Sequence, residues 1–195
     1  MSRVANFMVK NGFNVVAVHG GGVRHIKAVL EILSYGAGAY SAIVVAVGGN
    51  DLMMGMRPAD LIDQLTGIVK IMADQNPGCV CVTCPIIPRI PERLAVLKSG
   101  EWFLGLITEF DKLMVKAGYW HHNWCSDLYV AESTERGTLP RLDLYEADNT
   151  HLNARGLALY RELLTFVIDG INFMQWTERK RFPVGEGFRT AFWSF

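Results

Sequence analysis

The sequence predicts a parallel α/β domain, and two observations carry that prediction. Short apolar runs, typical of buried strands, alternate along the chain with longer segments whose apolar residues recur at helical spacing. Glycine-rich and polar motifs follow the strand candidates, at the carboxyl ends where parallel sheets gather their functional sites. Because helices cover both faces of such a sheet, we expect three layers, α/β/α.

The elements can be assigned in chain order. Strand candidates lie at residues 14–18, 42–47 and 79–84 and within 124–130. Helical spacing covers residues 2–11, 23–33, 58–72, 102–117 and 154–171. Pro58 fits the first turn of its helix, and Asn11-Gly12 fits a helix end.

Composition excludes several classes of protein. The 19 Lys and Arg residues balance the 19 Asp and Glu residues, so the net charge of zero gives no overall signal for nucleic acid or a membrane surface. The longest apolar run, Ala42 to Val47, has the length of a strand and cannot span a bilayer. The N-terminus is typical of an amphipathic helix and not of a signal peptide, and the cysteines suit a reducing compartment, so we expect a cytoplasmic protein.

Two groups of residues resemble metal ligands. Cys79, Cys81 and Cys84 lie close together, but the run ends at Pro85 and alternates like a strand, so packing of buried thiols is favoured. The second group is His121, His122, Cys125 and Asp127. Its two histidines are adjacent, and adjacent side chains on an irregular segment point apart. We therefore predict neither a metal nor an organic cofactor.

The most informative motif is Asp148-Asn149-Thr150-His151, directly before the last helix. An Asp three residues ahead of a His can orient the imidazole and stabilise its charged form, which is the arrangement of a general base. Asn50, after the strand at 42–47, and Gly20, after the first strand, are natural donors for an oxyanion. Taken alone, Gly48-Gly49-Asn50-Asp51 is equally well a tight turn between a strand and a helix.

These motifs together resemble the SGNH/GDSL hydrolase family. Its third block matches Val44 to Leu52, its fifth block matches Asp148 to Gly156, and a glycine of its second block matches Gly20, with Gly21 as a close second. The resemblance implies a flavodoxin-like sheet of order 2-1-3-4-5, a small-molecule ester substrate, and catalytic roles for the residues His151, Asp148, Asn50 and Gly20. The neighbouring residues expected to bind substrate are Gly21, Gly49, Asp51 and Pro85.

The chain departs from the family at its first block, a strand that ends in Gly-Asp-Ser and carries the nucleophile. That tripeptide is absent from the sequence. We expect the serine to lie ahead of Met1, which would make this chain an inactive fragment, and Ser2 is better explained as the start of the first helix. The missing strand is central in the family's sheet. Either the strands on its two sides pair directly, another segment fills the gap, or the chain is incomplete.

The sequence divides into a hydrolase-like domain, residues 1–172, and a tail, residues 173–195. The tail surrounds Arg179-Lys180-Arg181 with aromatic residues. We expect it to fold back over the domain or to be partly disordered. Its composition also permits single-stranded nucleic acid binding. The alternative to an esterase is therefore a non-catalytic, esterase-like binding module, such as occurs in proteins encoded by some retroelements.

Overall fold

The computed structural model describes residues 3–18, 20–33, 40–76, 79–89, 100–118, 140–181 and 188–194. The helices in these ranges are α1 (Arg3–Lys10), α2 (Val23–Leu33), α3 (Gly49–Met53), α4 (Pro58–Gln75), α5 (Gly100–Lys116) and α6 (Ala154–Arg181). The strands are β1 (Phe13–Val18), β2 (Tyr40–Ala46), β3 (Val80–Thr83) and β4 (Phe188–Ser194). A turn of 3-10 helix spans Leu142–Leu144. The predicted strand within 124–130 and the residues His121, His122, Cys125 and Asp127 lie outside the described residues.

All four strands form one parallel sheet in the order β1-β4-β2-β3. The last strand of the chain thus lies between β1 and β2, with Phe192 opposite Val16 on one side and Val45 on the other. This is the position in which the sequence predicted a missing strand. Of the three outcomes considered, the structure has the one in which another segment fills the gap, and the backbone groups of β1 and β2 gain partners.

Helices cover both faces of the sheet. Ala42 and Val44 of β2 are buried in one apolar cluster with side chains of α1 and α6. The alternating residues Ile43 and Val45 are buried in a second cluster with side chains of α2, α4 and α5. Because successive side chains of a strand point to opposite faces, an uninterrupted apolar run such as β2 requires cover on both sides. The predicted α/β class is confirmed.

The predicted division at residue 172 falls within a continuous helix. α6 runs from Ala154 to Arg181, and β4 then joins the sheet. The segment predicted as a tail therefore supplies a central strand. The backbone of this strand is paired on both sides, with β1 and with β2.

The cysteine segment forms the predicted strand. β3 spans Val80–Thr83, Cys79 and Cys81 are half-buried, and Cys84 is buried. Burial raises the pKa of the Cys84 thiol to about 12, so this side chain stays protonated and behaves as core. Among the described residues, no group of three His, Cys, Asp or Glu side chains could hold a metal ion. Nor does any helix in the described ranges have the length and apolar character to cross a membrane.

Candidate active site

The turn before α6 holds an Asp–His pair. Nδ1 of His151 lies 2.5 Å from Oδ2 of Asp148. The other carboxylate oxygen of Asp148 accepts the backbone N–H groups of Thr150 and His151, at 2.9 and 3.0 Å. The N–H bond from His151 is the main reason that the pKa of Asp148 falls to about 2, with the imidazole contact adding to it.

This geometry assigns the two nitrogens of the imidazole. An ionised carboxylate only accepts hydrogen bonds, so Nδ1 of His151 carries the proton and Nε2 of the neutral ring has a lone pair. The side chains of His151 and Asp148 are 61% and 49% exposed, so a substrate can reach them. The predicted pairing of Asp148 with His151 is present.

Short backbone contacts hold the turn in place. Tyr145 and Leu152 form an antiparallel bridge, and the N–H of Glu146 donates to the carbonyl oxygen of His151 at 2.8 Å. Asn149 adopts a left-handed conformation with φ 50°, which Asn tolerates better than most residues.

Asn153 connects this turn to α6. Its Oδ1 accepts the backbone N–H groups of Arg155 and Gly156, both at 3.0 Å, which caps the N-terminus of the helix. Its Nδ2 donates to the carbonyl oxygens of Asp143 and Tyr145, at 2.9 and 3.0 Å. One side chain thus joins the first turn of α6 to the segment that precedes the Asp–His pair.

The oxyanion candidates lie at the carboxyl ends of β1 and β2. Nδ2 of Asn50 donates to the carbonyl oxygen of Gly21 at 2.9 Å, so the two predicted segments meet. Gly20 is exposed with φ 65°, and Gly48 has φ 111°, both in the left-handed region that favours glycine. The N–H of Gly20 has no acceptor among the described residues.

Asp51, a predicted substrate-binding residue, is engaged within the protein. Both of its carboxylate oxygens lie 3.1 Å from the N–H of Val23, at the start of α2. A Cβ on Gly22 would lie 2.2 Å from Oδ1 of Asp51, so the glycine permits this contact. Burial of the Asp51 carboxyl raises its pKa, and the Val23 bond opposes that effect. Asp51 ties the β1–α2 turn to α3.

The other predicted substrate-binding residues line the same region. Gly21 is buried against Val18, Gly49 lies beside the side chain of Arg89, and Pro85 is buried after β3. Their roles toward substrate stay predictions.

Two residues that the sequence did not single out link the Asp–His turn to Asn50. The hydroxyl of Tyr145 donates to the carbonyl oxygen of Pro88. The next residue, Arg89, donates from Nη2 to Oδ1 of Asn50 at 2.8 Å. Arg89 could have been identified from the sequence, because it is the charged residue of the proline-rich loop Pro85-Ile86-Ile87-Pro88-Arg89. The bond of Tyr145 could not, because it depends on long-range packing.

Comparisons with known proteins agree with this architecture. Neither a protein-family model nor a curated protein sequence matches the chain. Among solved structures, it is similar to a "putative acylhydrolase" from Bacteroides fragilis, with a TM-score of 0.63, 12% identity, and cover of 85% of this chain and 78% of that one. It is also similar to a GDSL-like lipase from Bacteroides thetaiotaomicron, with a TM-score of 0.63, 14% identity, and cover of 85% and 79%.

The chain has an SGNH/GDSL hydrolase-like fold. At such low identity the likeness describes the fold and not the activity. In this fold, β4 takes the central position of the sheet. The turn with Asp148 and His151 lies directly before α6.

Proposed function

We propose that the site hydrolyses carboxylic esters of small molecules. The observation that carries the proposal is the contact between His151 and Asp148, which leaves Nε2 of an exposed imidazole as a general base. The hydrolase-like fold supports it, as do the positions of Gly20 and Asn50 at the ends of β1 and β2.

The proposed reaction follows from these groups. Nε2 of His151 takes the proton of a serine hydroxyl as its oxygen attacks the ester carbonyl, and Asp148 stabilises the imidazolium. The N–H of Gly20 and the side-chain amide of Asn50 donate to the oxyanion of the tetrahedral intermediate. The imidazolium then protonates the departing alkoxide. The acyl group is left on the serine oxygen as an ester. Water, deprotonated by the same nitrogen, attacks its carbonyl, and the imidazolium then protonates the serine oxygen as the acid departs.

The serine has two candidate sources. The first source, predicted from the sequence, is a serine ahead of Met1. The strand that carries this serine would have to replace β4 at the centre of the sheet. The other source is β4 itself, which ends at Ser194, in register with Val18 just before Gly20. Because Ser194 is at the carboxyl end of the central strand, we favour it as the nucleophile.

Activity of purified protein on p-nitrophenyl acetate tests the hydrolase proposal. We expect hydrolysis above the buffer rate that is lost in His151→Ala. In Asn50→Ala it should fall by about 10²–10³-fold, the usual effect of removing one oxyanion donor, and remain measurable. Asp143→Asn is the control, because the exposed side chain of Asp143 pairs, among the described residues, with Arg141 and Arg155 near the same turn, and the substitution leaves its backbone carbonyl in place. A rate that His151→Ala leaves unchanged would show that the pair does not catalyse ester hydrolysis.

A fluorophosphonate probe, which reacts with activated serines, tests the source of the nucleophile. We expect mass spectrometry to locate one label at Ser194, absent in Ser194→Ala. A chain that takes no label, yet retains weak hydrolysis dependent on His151, would instead support a serine ahead of Met1, since a site without its nucleophile keeps residual catalysis.

The alternative, a non-catalytic binding module, has weaker support. It rests on the absence of Gly-Asp-Ser and on the aromatic and basic tail, and β4 of that tail is paired on both sides within the sheet.

A further inference from the structure

Arg89 combines burial, charge and an incomplete set of partners. Its Nε is buried and has no hydrogen-bond partner among the described residues. Its guanidinium carbon lies 5.8 Å from the centre of the Phe103 ring, and Phe103 is itself buried. Burial lowers the pKa of Arg89 to about 10, so the side chain is still charged at neutral pH.

Stability alone is a poor explanation for such a residue. A buried charge costs free energy unless it is well paired, and an apolar side chain of similar size often replaces it without loss. In the part of the chain that the structure describes, no carboxylate lies within ion-pair distance of Arg89. Its one hydrogen bond there is the donation from Nη2 to Oδ1 of Asn50, at 2.8 Å.

That hydrogen bond, together with the contact at Gly21, fixes which way the amide of Asn50 points. A guanidinium only donates, so the end of the amide that faces Arg89 must be its oxygen. The Nδ2 end then faces the Gly20–Gly21 turn, where it donates to the carbonyl oxygen of Gly21 at 2.9 Å. If the amide were reversed, Nδ2 of Asn50 would face the guanidinium of Arg89. Oδ1 of Asn50 would then face the carbonyl oxygen of Gly21, and neither contact would be a hydrogen bond.

We propose that Arg89 is a positioning residue that holds the amide of Asn50 with Nδ2 toward the oxyanion site. This inference rests on the proposed hydrolase function and extends it to a residue outside the predicted motifs. The positive charge at Oδ1 also polarises the amide and strengthens its N–H groups as donors, since low local dielectric makes hydrogen bonds reinforce one another. Arg89 acts through Asn50 and need not contact the substrate.

The first test compares kinetics with stability. In Arg89→Met, we expect kcat to fall by about tenfold or more with KM little changed, because the oxyanion forms only in the transition state. The urea midpoint should be unchanged or higher, which a structural role would not give. Arg57→Met, which removes an exposed ion pair with Asp60, is the matched control and should leave kcat unchanged.

A double-mutant cycle tests whether Arg89 acts through Asn50. In the Asn50→Ala background, Arg89→Met should cause little further loss of kcat. Equal losses in both backgrounds would overturn the inference, as would an active Arg89→Met variant with unchanged kcat. Either result would leave the hydrolase proposal standing.

NMR of the Asn50 side-chain amide tests the inference without any activity. The Nδ2 signals should shift or broaden in Arg89→Met and stay in place in Arg57→Met. If they move in a protein that hydrolyses no ester, then Arg89 positions Asn50 and the proposed function is what fails. Signals that do not move would overturn the positioning role itself.

Discussion

A Cβ atom added to Gly156 would lie 2.2 Å from the carbonyl oxygen of Leu144. The first turn of α6 therefore packs directly against the backbone of the 3-10 turn that precedes the Asp–His pair. The N–H of Asn153 donates to the same carbonyl oxygen at 2.9 Å, so the contact has little room to adjust.

Gly156→Ala should destabilise the protein by about 1–3 kcal/mol, because a methyl group at this site must displace backbone and not a flexible side chain. The matched control is Gly105→Ala in α5, where, outside the helix's own neighbouring backbone, no atom of the described residues lies within 4 Å of the added atom. There the substitution should stabilise the helix by about 0.5–1 kcal/mol. Urea unfolding measures both, and a Gly156→Ala variant as stable as the wild type would contradict the packing.

Local sequence patterns predicted most of the helices and strands. β2 and α4 are uninterrupted or periodic apolar segments whose patterns identify them without knowledge of their neighbours. β4 was missed as a strand, because its pairing with β1 and β2 joins residues far apart in sequence. The aromatic residues that mark it as a strand were equally consistent with a tail.

The same distinction applies to the site. The Asp148–His151 contact spans one turn, so its sequence spacing was sufficient to predict it. Arg89 reaches Asn50 only because the loop after β3 crosses the end of β2, which no local spacing encodes. The capping role of Asn153 could have been inferred, since Asn is a preferred residue just before a helix.

Ala191→Pro tests the central position of β4. Ala191 lies opposite Val15 of β1 and Val44 of β2, so a proline there removes a ladder N–H from the middle of the sheet. We expect a loss of about 3 kcal/mol or more, or failure to fold. Ala191→Gly keeps the N–H and should cost only about 0.5–1 kcal/mol. Circular dichroism and urea unfolding compare the two, and equal stability would place β4 outside the sheet.

Acid should weaken the Asp–His turn over a defined range of pH. The pKa of Asp148 is about 2 in the folded protein against an ordinary value of 3.8, so the ionised carboxylate favours the folded state. By linkage, this contribution is complete above about pH 4 and is lost as the pH falls toward 2. Because the pair is exposed, we expect the effect on global stability to be small.

Asp148→Asn separates this contribution from the rest of the acid response. The variant should lose the corresponding pH dependence in the His151 NMR signals, and at neutral pH its ester hydrolysis should fall by as much as about 10⁴-fold, since an amide no longer holds the required tautomer. Asp143→Asn should keep both properties. An Asp148→Asn enzyme with wild-type kcat would show that the pair does not act as the base.

Asn153 makes two separable contributions, and two substitutions distinguish them. Asn153→Ser keeps a short acceptor for the N–H groups of Arg155 and Gly156 but loses the donations to Asp143 and Tyr145, whereas Asn153→Ala loses both. The Ser variant should be more stable than the Ala variant by about 1 kcal/mol, the usual value of an N-cap. It should be less stable than the wild type by about 1 kcal/mol for each lost donation.

Because those donations hold the segment ahead of Asp148, both variants should also lower the hydrolysis that depends on His151. Urea midpoints in the order wild type, Ser, Ala are expected, and a Ser variant equal to the wild type would show that the donations to Asp143 and Tyr145 contribute nothing.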